Sequence, residues 1–89
     1  MRRSKLLAKL RAGQSARICA MGHVLPFFVR YAAHFNYDAL WFDLEHRAMD
    51  PREVQAVLAL CHAFDIDCML RPPTTERNQL YRYLEDGAA

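Results

Sequence analysis

Apolar positions along the chain change period several times, and each change marks an element. Leu6, Leu7 and Leu10 recur at helical spacing, which predicts a short leading helix with an apolar stripe, ended by Gly13. ARICAM, residues 16–21, is a strand-like run closed by Gly22. PFFVRYAAHF then reads as a helix with Pro26 in its first turn, where the missing N–H costs nothing. ALWFD, residues 39–43, is the second strand. Asp50, Pro51 and Glu53 come close to a capping box and open a helix whose apolar face is Val54, Val57, Leu58 and Cys61. IDCMLR, residues 66–71, is the third strand. TTERNQLYRYLEDG is the last helix, with Thr74 or Thr75 as its cap, Leu80, Tyr83 and Leu84 on one face, and Gly87 as its stop.

Strands that alternate with helices imply right-handed βαβ crossovers and a parallel sheet, an α/β fold. A closed (β/α)8 barrel takes roughly 250 residues. With 89 residues the chain has room for about three βα units behind a leading helix, and so for a partial (β/α)8 TIM barrel, one incomplete segment over residues 1–89.

Composition narrows the class further. A hydrophobic share of 53% with 25% charged residues is that of an ordinary globular chain and not of a disordered one. Arg2, Arg3, Lys5, Lys9, Arg11 and Arg17 gather half of the twelve basic residues near the N-terminus, but no aromatic-interleaved basic patch follows, so nucleic acid is not expected. Cys19, Cys61 and Cys68 lie far apart in apolar runs; they read as buried free thiols of a reducing compartment, and no C-x-x-C spacing suggests zinc. The N-terminus alternates charge with leucine and has no continuous apolar core, so it reads as an amphipathic helix and not a signal peptide. No run reaches membrane-spanning length. A cytoplasmic protein with no membrane partner is the expectation.

Candidate chemistry sits where the strands end. WFDLEHRAMDP, residues 41–51, passes from bulky apolar side chains into Asp43, Glu45, His46 and Arg47. In a parallel α/β sheet all strand C-termini lie on one side, and ligand sites are built from the loops leaving it. Gly22 with His23, Asp43 to His46, and Arg71 all fall at such positions. In an extended segment Asp43 and Glu45 point one way and Leu44 and His46 the other, so a carboxylate meets the imidazole only if the chain turns after Asp43. A carboxylate on one ring nitrogen makes the other a base, and an arginine on the neighbouring strand suits a carboxylate or a developing enolate. Polar side chains also gather at strand ends simply because the chain returns to water there. On the same bland reading His23 is a loop residue without a role, His34 and His62 belong to helix surfaces, Arg47 is solvated, and Trp41 and Phe42 are core. Pro72 and Pro73 stiffen the loop after Arg71. No G-x-G-x-x-G or P-loop follows any strand, which disfavours a nucleotide binder.

KLRAG near the start, YDALWFDLEH, MLRPP and YLEDGAA resemble, in order and spacing, the first third of the HpcH/HpaI aldolase family. The resemblance implies a (β/α)8 barrel that makes or cleaves C–C bonds in 4-hydroxy-2-oxo acids through a pyruvate enolate. A 2-oxo acid such as pyruvate and an aldehyde would be its small-molecule partners, and a divalent metal (Mg2+, Mn2+ or Co2+) its cofactor. It gives His46 the role of general base, and Arg71 that of holding the pyruvyl oxygen and stabilising the enolate. Asp43 and Glu45 become carboxylates that orient His46 or hydrogen-bond metal-bound water, and Gly22 the small residue after the first strand. Two departures stand out. Leu44 occupies a position often held by glycine, and the metal ligands that the resemblance implies come from later strands that this chain does not contain. The chain is accordingly expected either to be one part of such a lyase, completed by further copies or by the rest of the barrel, or to be an inactive truncated remnant or assembly module of the same fold.

Overall fold

The computed structural model describes residues 3–89; Met1 and the basic Arg2 lie outside the described residues. Seven elements follow one another: α1 (Lys5–Arg11), β1 (Ile18–Met21), α2 (Pro26–His34), β2 (Ala39–Asp43), α3 (Pro51–Ala63), β3 (Asp67–Arg71) and α4 (Arg77–Asp86). The sheet is parallel in the order β1-β2-β3, a small α/β fold of the partial-barrel type expected from the sequence.

The four helices of the described residues all end the same way. A residue in the left-handed region follows each helix, and the next N–H reaches back to close a six-residue turn: Gln14 to Lys9 O, Tyr37 to Ala32 O, Ile66 to Cys61 O and Ala88 to Tyr83 O. The left-handed residues are Gly13, Asn36, Asp65 and Gly87. Glycine takes that conformation at no steric cost, and Asn and Asp are the side chains that tolerate it best. The repeated stop turns the chain back toward the next strand with little intervening loop. After α4 the same turn brings Ala89 N–H to the Cys68 carbonyl on the outer edge of β3.

Helix starts differ from one another. At α3 the capping box forms as the sequence indicates, with Asp50 accepting from Glu53 N–H at 3.0 Å and Glu53 accepting from Asp50 N–H at 3.1 Å. At α4 neither threonine is the cap. Glu76 takes that place, its carboxylate accepting from the N–H groups of Asn78 and Gln79, while Thr74 accepts from Glu76 N–H. A carboxylate here also meets the positive end of the helix dipole, which a hydroxyl does less well.

Period-two alternation divides the sheet into two faces. In register, Cys19 lies beside Leu40 and Cys68, and Met21 beside Phe42 and Leu70. These residues pack against Val29 and Ala32 of α2 and Val54, Val57, Leu58 and Cys61 of α3. Leu40 and Phe42 are fully buried, and each such side chain contributes about 1.5–3 kcal/mol by leaving water. Cys61 and Cys68 are buried and outside any disulfide, whereas Cys19 is only half-buried. The hydrogen bond that the Cys68 S–H shares with Cys61, and burial, raise the Cys68 thiol far above its ordinary pKa, which keeps it protonated and inert.

The opposite face carries the rows Ile18–Ala39–Asp67, Ala20–Trp41–Met69 and, at the C-terminal edge, Asp43–Arg71. Among the described residues only its N-terminal end is closed, by α1. Asp67, 2% exposed, accepts from Ser4 Oγ and from Leu6 N–H, both at 2.8 Å. Ser4 in turn caps α1 by accepting from Leu7 N–H. Lys9 pairs with Asp38 and Lys5 with Asp65. The Lys9 ammonium, helped by the Arg17 N–H, holds the Asp38 carboxyl below its ordinary pKa. The expected apolar stripe on α1 reduces to Leu6: Leu7 and Leu10 are exposed, because the helix is held by its polar N-terminus and lies over the sheet end with one residue inserted.

Asp67→Ala should leave the Ser4 hydroxyl and Leu6 N–H without their acceptor and destabilise the chain by about 2–4 kcal/mol, as stranded buried donors do. Asp67→Asn, which keeps an acceptor oxygen, should cost less. Urea-unfolding midpoints measure both, and equal losses for the two variants would show that the hydrogen bonds are not what holds α1.

Candidate functional site

The C-terminal edge of the sheet gathers the polar residues that the sequence marks out. Asp43 and Arg71 end β2 and β3 as direct neighbours in register. Their side chains form a bidentate pair, Arg71 Nε to Asp43 Oδ1 at 2.9 Å and Nη2 to Oδ2 at 2.5 Å. Asp43 Oδ1 also accepts from the backbone N–H groups of Glu45 at 2.9 Å and His46 at 3.2 Å. That Asx-type turn bends the chain immediately after the strand. Leu44 N–H donates to the Arg71 carbonyl at 3.0 Å and its side chain is buried. Leu44 has no positive φ, so the turn does not need the glycine that the resemblance often places there.

Because of the turn, Glu45 and not Asp43 faces the imidazole. Glu45 Oε1 lies 3.4 Å from His46 Nε2, and its other oxygen lies 3.6 Å from Arg71 Nε. One carboxylate thus stands between the imidazole and the guanidinium, which are brought to one side of the sheet without touching each other directly. A proton on Nε2 directed at Glu45 leaves Nδ1 as the basic ring nitrogen. Asp43 serves His46 through its backbone alone.

The strong negative field at Asp43 is spent on Arg71. The guanidinium hydrogen bond holds the Asp43 carboxyl well below the ordinary value of 3.8; burial, the next largest effect, opposes it, and the two backbone N–H groups add to the lowering. Arg71 is raised correspondingly, chiefly by Asp43, with Glu45 adding to it. Nη1 of Arg71 is engaged by no hydrogen bond among the described residues and remains available to an acceptor from solution. The guanidinium also lies over the ring of Trp41, 5.6 Å from its centroid. Trp41 is therefore not the core residue expected; it is half-buried on the face of Asp43, two positions earlier in the strand, while Phe42 is core. The period of two carries that signal in the sequence.

Gly22 follows β1 at the same edge. A Cβ there would lie 3.4 Å from Arg47 Nε and 3.6 Å from its Cζ, so the Arg47 side chain rests against this glycine. His23, His34 and His62 are exposed, the first in the loop after β1 and the others on helices. Among the described residues no group of three or more His, Cys, Asp or Glu is placed to hold a metal ion. Asp43, Glu45 and His46 do not form such a donor set, so the divalent metal that the resemblance implies does not fit the residues present.

An edge of parallel strands bearing carboxylate, imidazole and guanidinium defines the class, the ligand-facing end of a β/α-barrel segment. The comparisons narrow it to the HpcH/HpaI aldolase fold. The chain is 28% identical to the HpcH/HpaI aldolase from Desulfitobacterium hafniense DCB-2, with a TM-score of 0.84 over 93% of this chain and 32% of that one. It is 26% identical to a HpcH/HpaI aldolase/citrate lyase family protein from Burkholderia cenocepacia J2315, with a TM-score of 0.82 over 97% of this chain and 35% of that one. Citrate synthase SbnG shares the fold at 21% identity, with a TM-score of 0.85 over 97% of this chain and 35% of that one. The chain spans about a third of the length of these structures. No family model and no curated protein matches it. No helix among the described residues is long and apolar enough to cross a membrane.

Asp43 is depressed in the folded state, so the pair stabilises the fold fully above the ordinary carboxylate pKa, and that contribution is lost as pH falls through the lower folded value. Arg71→Met should return the Asp43 carboxyl to the ordinary range and remove this part of the acid dependence. Carbon-detected NMR titration of Asp43 reads it directly; an unchanged titration in the variant would mean that the backbone N–H groups alone set the shift.

Proposed function

We propose that the chain supplies the proton-transfer and oxyanion-stabilising part of a carbon–carbon lyase acting on 4-hydroxy-2-oxo acids. The observation that carries this reading is the Glu45 carboxylate standing between the His46 imidazole and the Arg71 guanidinium. Likeness in fold to HpcH/HpaI aldolase structures supports it. In the cleavage direction His46 Nδ1 takes the proton of the 4-hydroxyl. The C3–C4 bond breaks, an aldehyde leaves, and the electron pair of that bond passes into the 2-oxo group as an enolate. Arg71, fixed in orientation by Asp43 and by the Trp41 ring, donates from its unengaged N–H groups to the enolate oxygen. The His46 imidazolium then gives its proton to C3 of the enolate, which releases pyruvate and restores the neutral imidazole. Glu45, on the Nε2 side of the ring, orients the imidazole so that Nδ1 faces the substrate.

The reading also predicts what the chain lacks. The remaining groups of the site come from outside these residues, from the rest of a barrel or from further copies. The isolated chain should therefore release no pyruvate from 4-hydroxy-2-oxo acids with Mg2+, Mn2+ or Co2+ added. Substituted for the matching third of the Desulfitobacterium hafniense aldolase, it should yield an active chimera. In that chimera His46→Ala should lower turnover about 10²–10⁴-fold, and Arg71→Ala about 10²–10³-fold. Pyruvate release coupled to lactate dehydrogenase measures all four cases, and undiminished turnover in either variant would remove that residue from the mechanism.

The second reading, an inactive module that assembles with other chains, draws on the uncovered sheet face. Ile18 is 42% exposed there, Ala20 is exposed, and Trp41 and Met69 are half-buried. Apolar surface of this kind favours association. Sedimentation velocity at micromolar concentration should then show self-association, and a monodisperse monomer would contradict it.

A further inference from the structure

We infer that the chain assembles head to tail with second copies of itself, the free edge of β3 in one copy pairing in parallel with the free edge of β1 in the next. The inference rests on the assembly reading above and deepens it, and it is independent of the lyase chemistry.

Charge is divided between the two sides of the sheet. Residues 1–37, which include α1, β1 and α2, hold seven Lys and Arg and no Asp or Glu. Residues 38–89 hold the other five Lys and Arg against all ten acidic residues. The net charge of +2 is thus made of +7 on one segment and −5 on the other. Pairing within the chain uses only part of this. Lys5 and Lys9 meet Asp65 and Asp38, but Arg17 and Arg30 have no carboxylate in ion-pair distance among the described residues, and Glu85 and Asp86 on α4 have no cation there. With the strands in the order β1-β2-β3, two copies meeting β1 to β1 would set base against base. The head-to-tail order sets the basic segment of one copy beside the acidic segment of the next.

The backbone at the two edges fits the same arrangement. The Arg17 carbonyl accepts from Asp38 N–H and so faces β2, and alternation turns the N–H and carbonyl groups of Ile18 and Ala20 off the sheet. On β3 the Arg71 carbonyl accepts from Leu44 N–H and faces β2, so those of Cys68 and Leu70 point outward. Ala89 N–H takes the Cys68 carbonyl, and the groups of Leu70 are left. Outward donors and acceptors on alternate residues are what a parallel neighbour requires. Because β1 and β3 run the same way, β1 of a second copy would lie beside β3 as β3 lies beside β2, with the helices of both copies on one face.

Apolar surface is open at the same place. A groove of about 760 Å3 at the start of β3 is lined by Asp67, Leu7, Leu84, Glu85 and Asp86 among others. Leu7 and Leu84 are exposed in it, and Ile18 is exposed on β1. Ile18 stands level with Ala39 and Asp67 in register, so a copy docked in that register brings its Ile18 to the rim of the groove.

The test is sedimentation velocity of the 89-residue chain across the micromolar range, with amide hydrogen exchange on the same samples. A head-to-tail interface repeats, so the unaltered chain should grow beyond a dimer as concentration rises, and less so in high salt. Exchange at the Ile18 and Ala20 N–H groups should slow in step. Ala20→Pro removes an N–H that points off the sheet and should weaken self-association about tenfold. Glu85→Lys, on the other side, should weaken it about threefold. Mixed in equal amounts, the two variants retain one intact β1 edge and one intact β3 side, and should form a heterodimer that grows no further. Association that stops at a dimer in the unaltered chain, with Ile18 and Ala20 exchanging as they do in dilute solution, would overturn the edge pairing and leave the assembly reading to the uncovered sheet face. If Ala20→Pro does not fold, exchange in the unaltered chain decides alone. A monodisperse monomer would overturn both, and the chimera assay judges the lyase reading separately.

Discussion

Asp43 receives four donors, and the C-terminal edge of the sheet is arranged around it. Two come from Arg71 across the ladder and two from the backbone of the segment that follows. The first pair locks β3 to β2 where their backbone pairing ends. The second turns the chain so that Glu45 and His46 do not continue the strand. An asparagine could cap the turn but would offer the guanidinium no charge. A glutamate would carry the charge but place it one methylene too far to reach its own backbone N–H groups. A short carboxylate meets both demands, and its depressed pKa is the measure of how many donors it satisfies.

The elements were legible wherever a local rule decided them. The capping box at Asp50 and Glu53 forms because both partners lie within one turn, and Val54, Val57, Leu58 and Cys61 are buried because a period of 3.6 left them on one stripe. The cap of α4 was not legible: Thr74, Thr75 and Glu76 can all accept from a helix N-terminus, and the path out of Pro72 and Pro73 chooses among them. At the edge of the sheet, Asp43, Glu45, His46 and Arg71 could be picked out by residue type and position. Their wiring could not, because which carboxylate faces the imidazole depends on Arg71 claiming Asp43 from 28 residues away.

Trp41 illustrates a different limit. Composition says that a tryptophan in an apolar run belongs inside, and on the helix-covered face it would have been. Its position in the strand places it on the other face, where it is half-buried and a cation covers part of its ring. Whether a side chain is core or surface follows from what lies over its face of the sheet, and that is a property of the assembly of elements and not of the strand.

The clamp between α1 and Asp67 joins residues more than sixty positions apart. It therefore sets an order of events. As the chain leaves the ribosome, the leading helix has its Ser4 cap but no acceptor for its buried donors until Asp67 is made, and at about 5–20 residues per second that interval lasts several seconds. A seven-residue helix is too short to persist alone in water. The first element in the sequence is thus among the last to be fixed, and closing this longest loop reports that β3 has already joined the sheet.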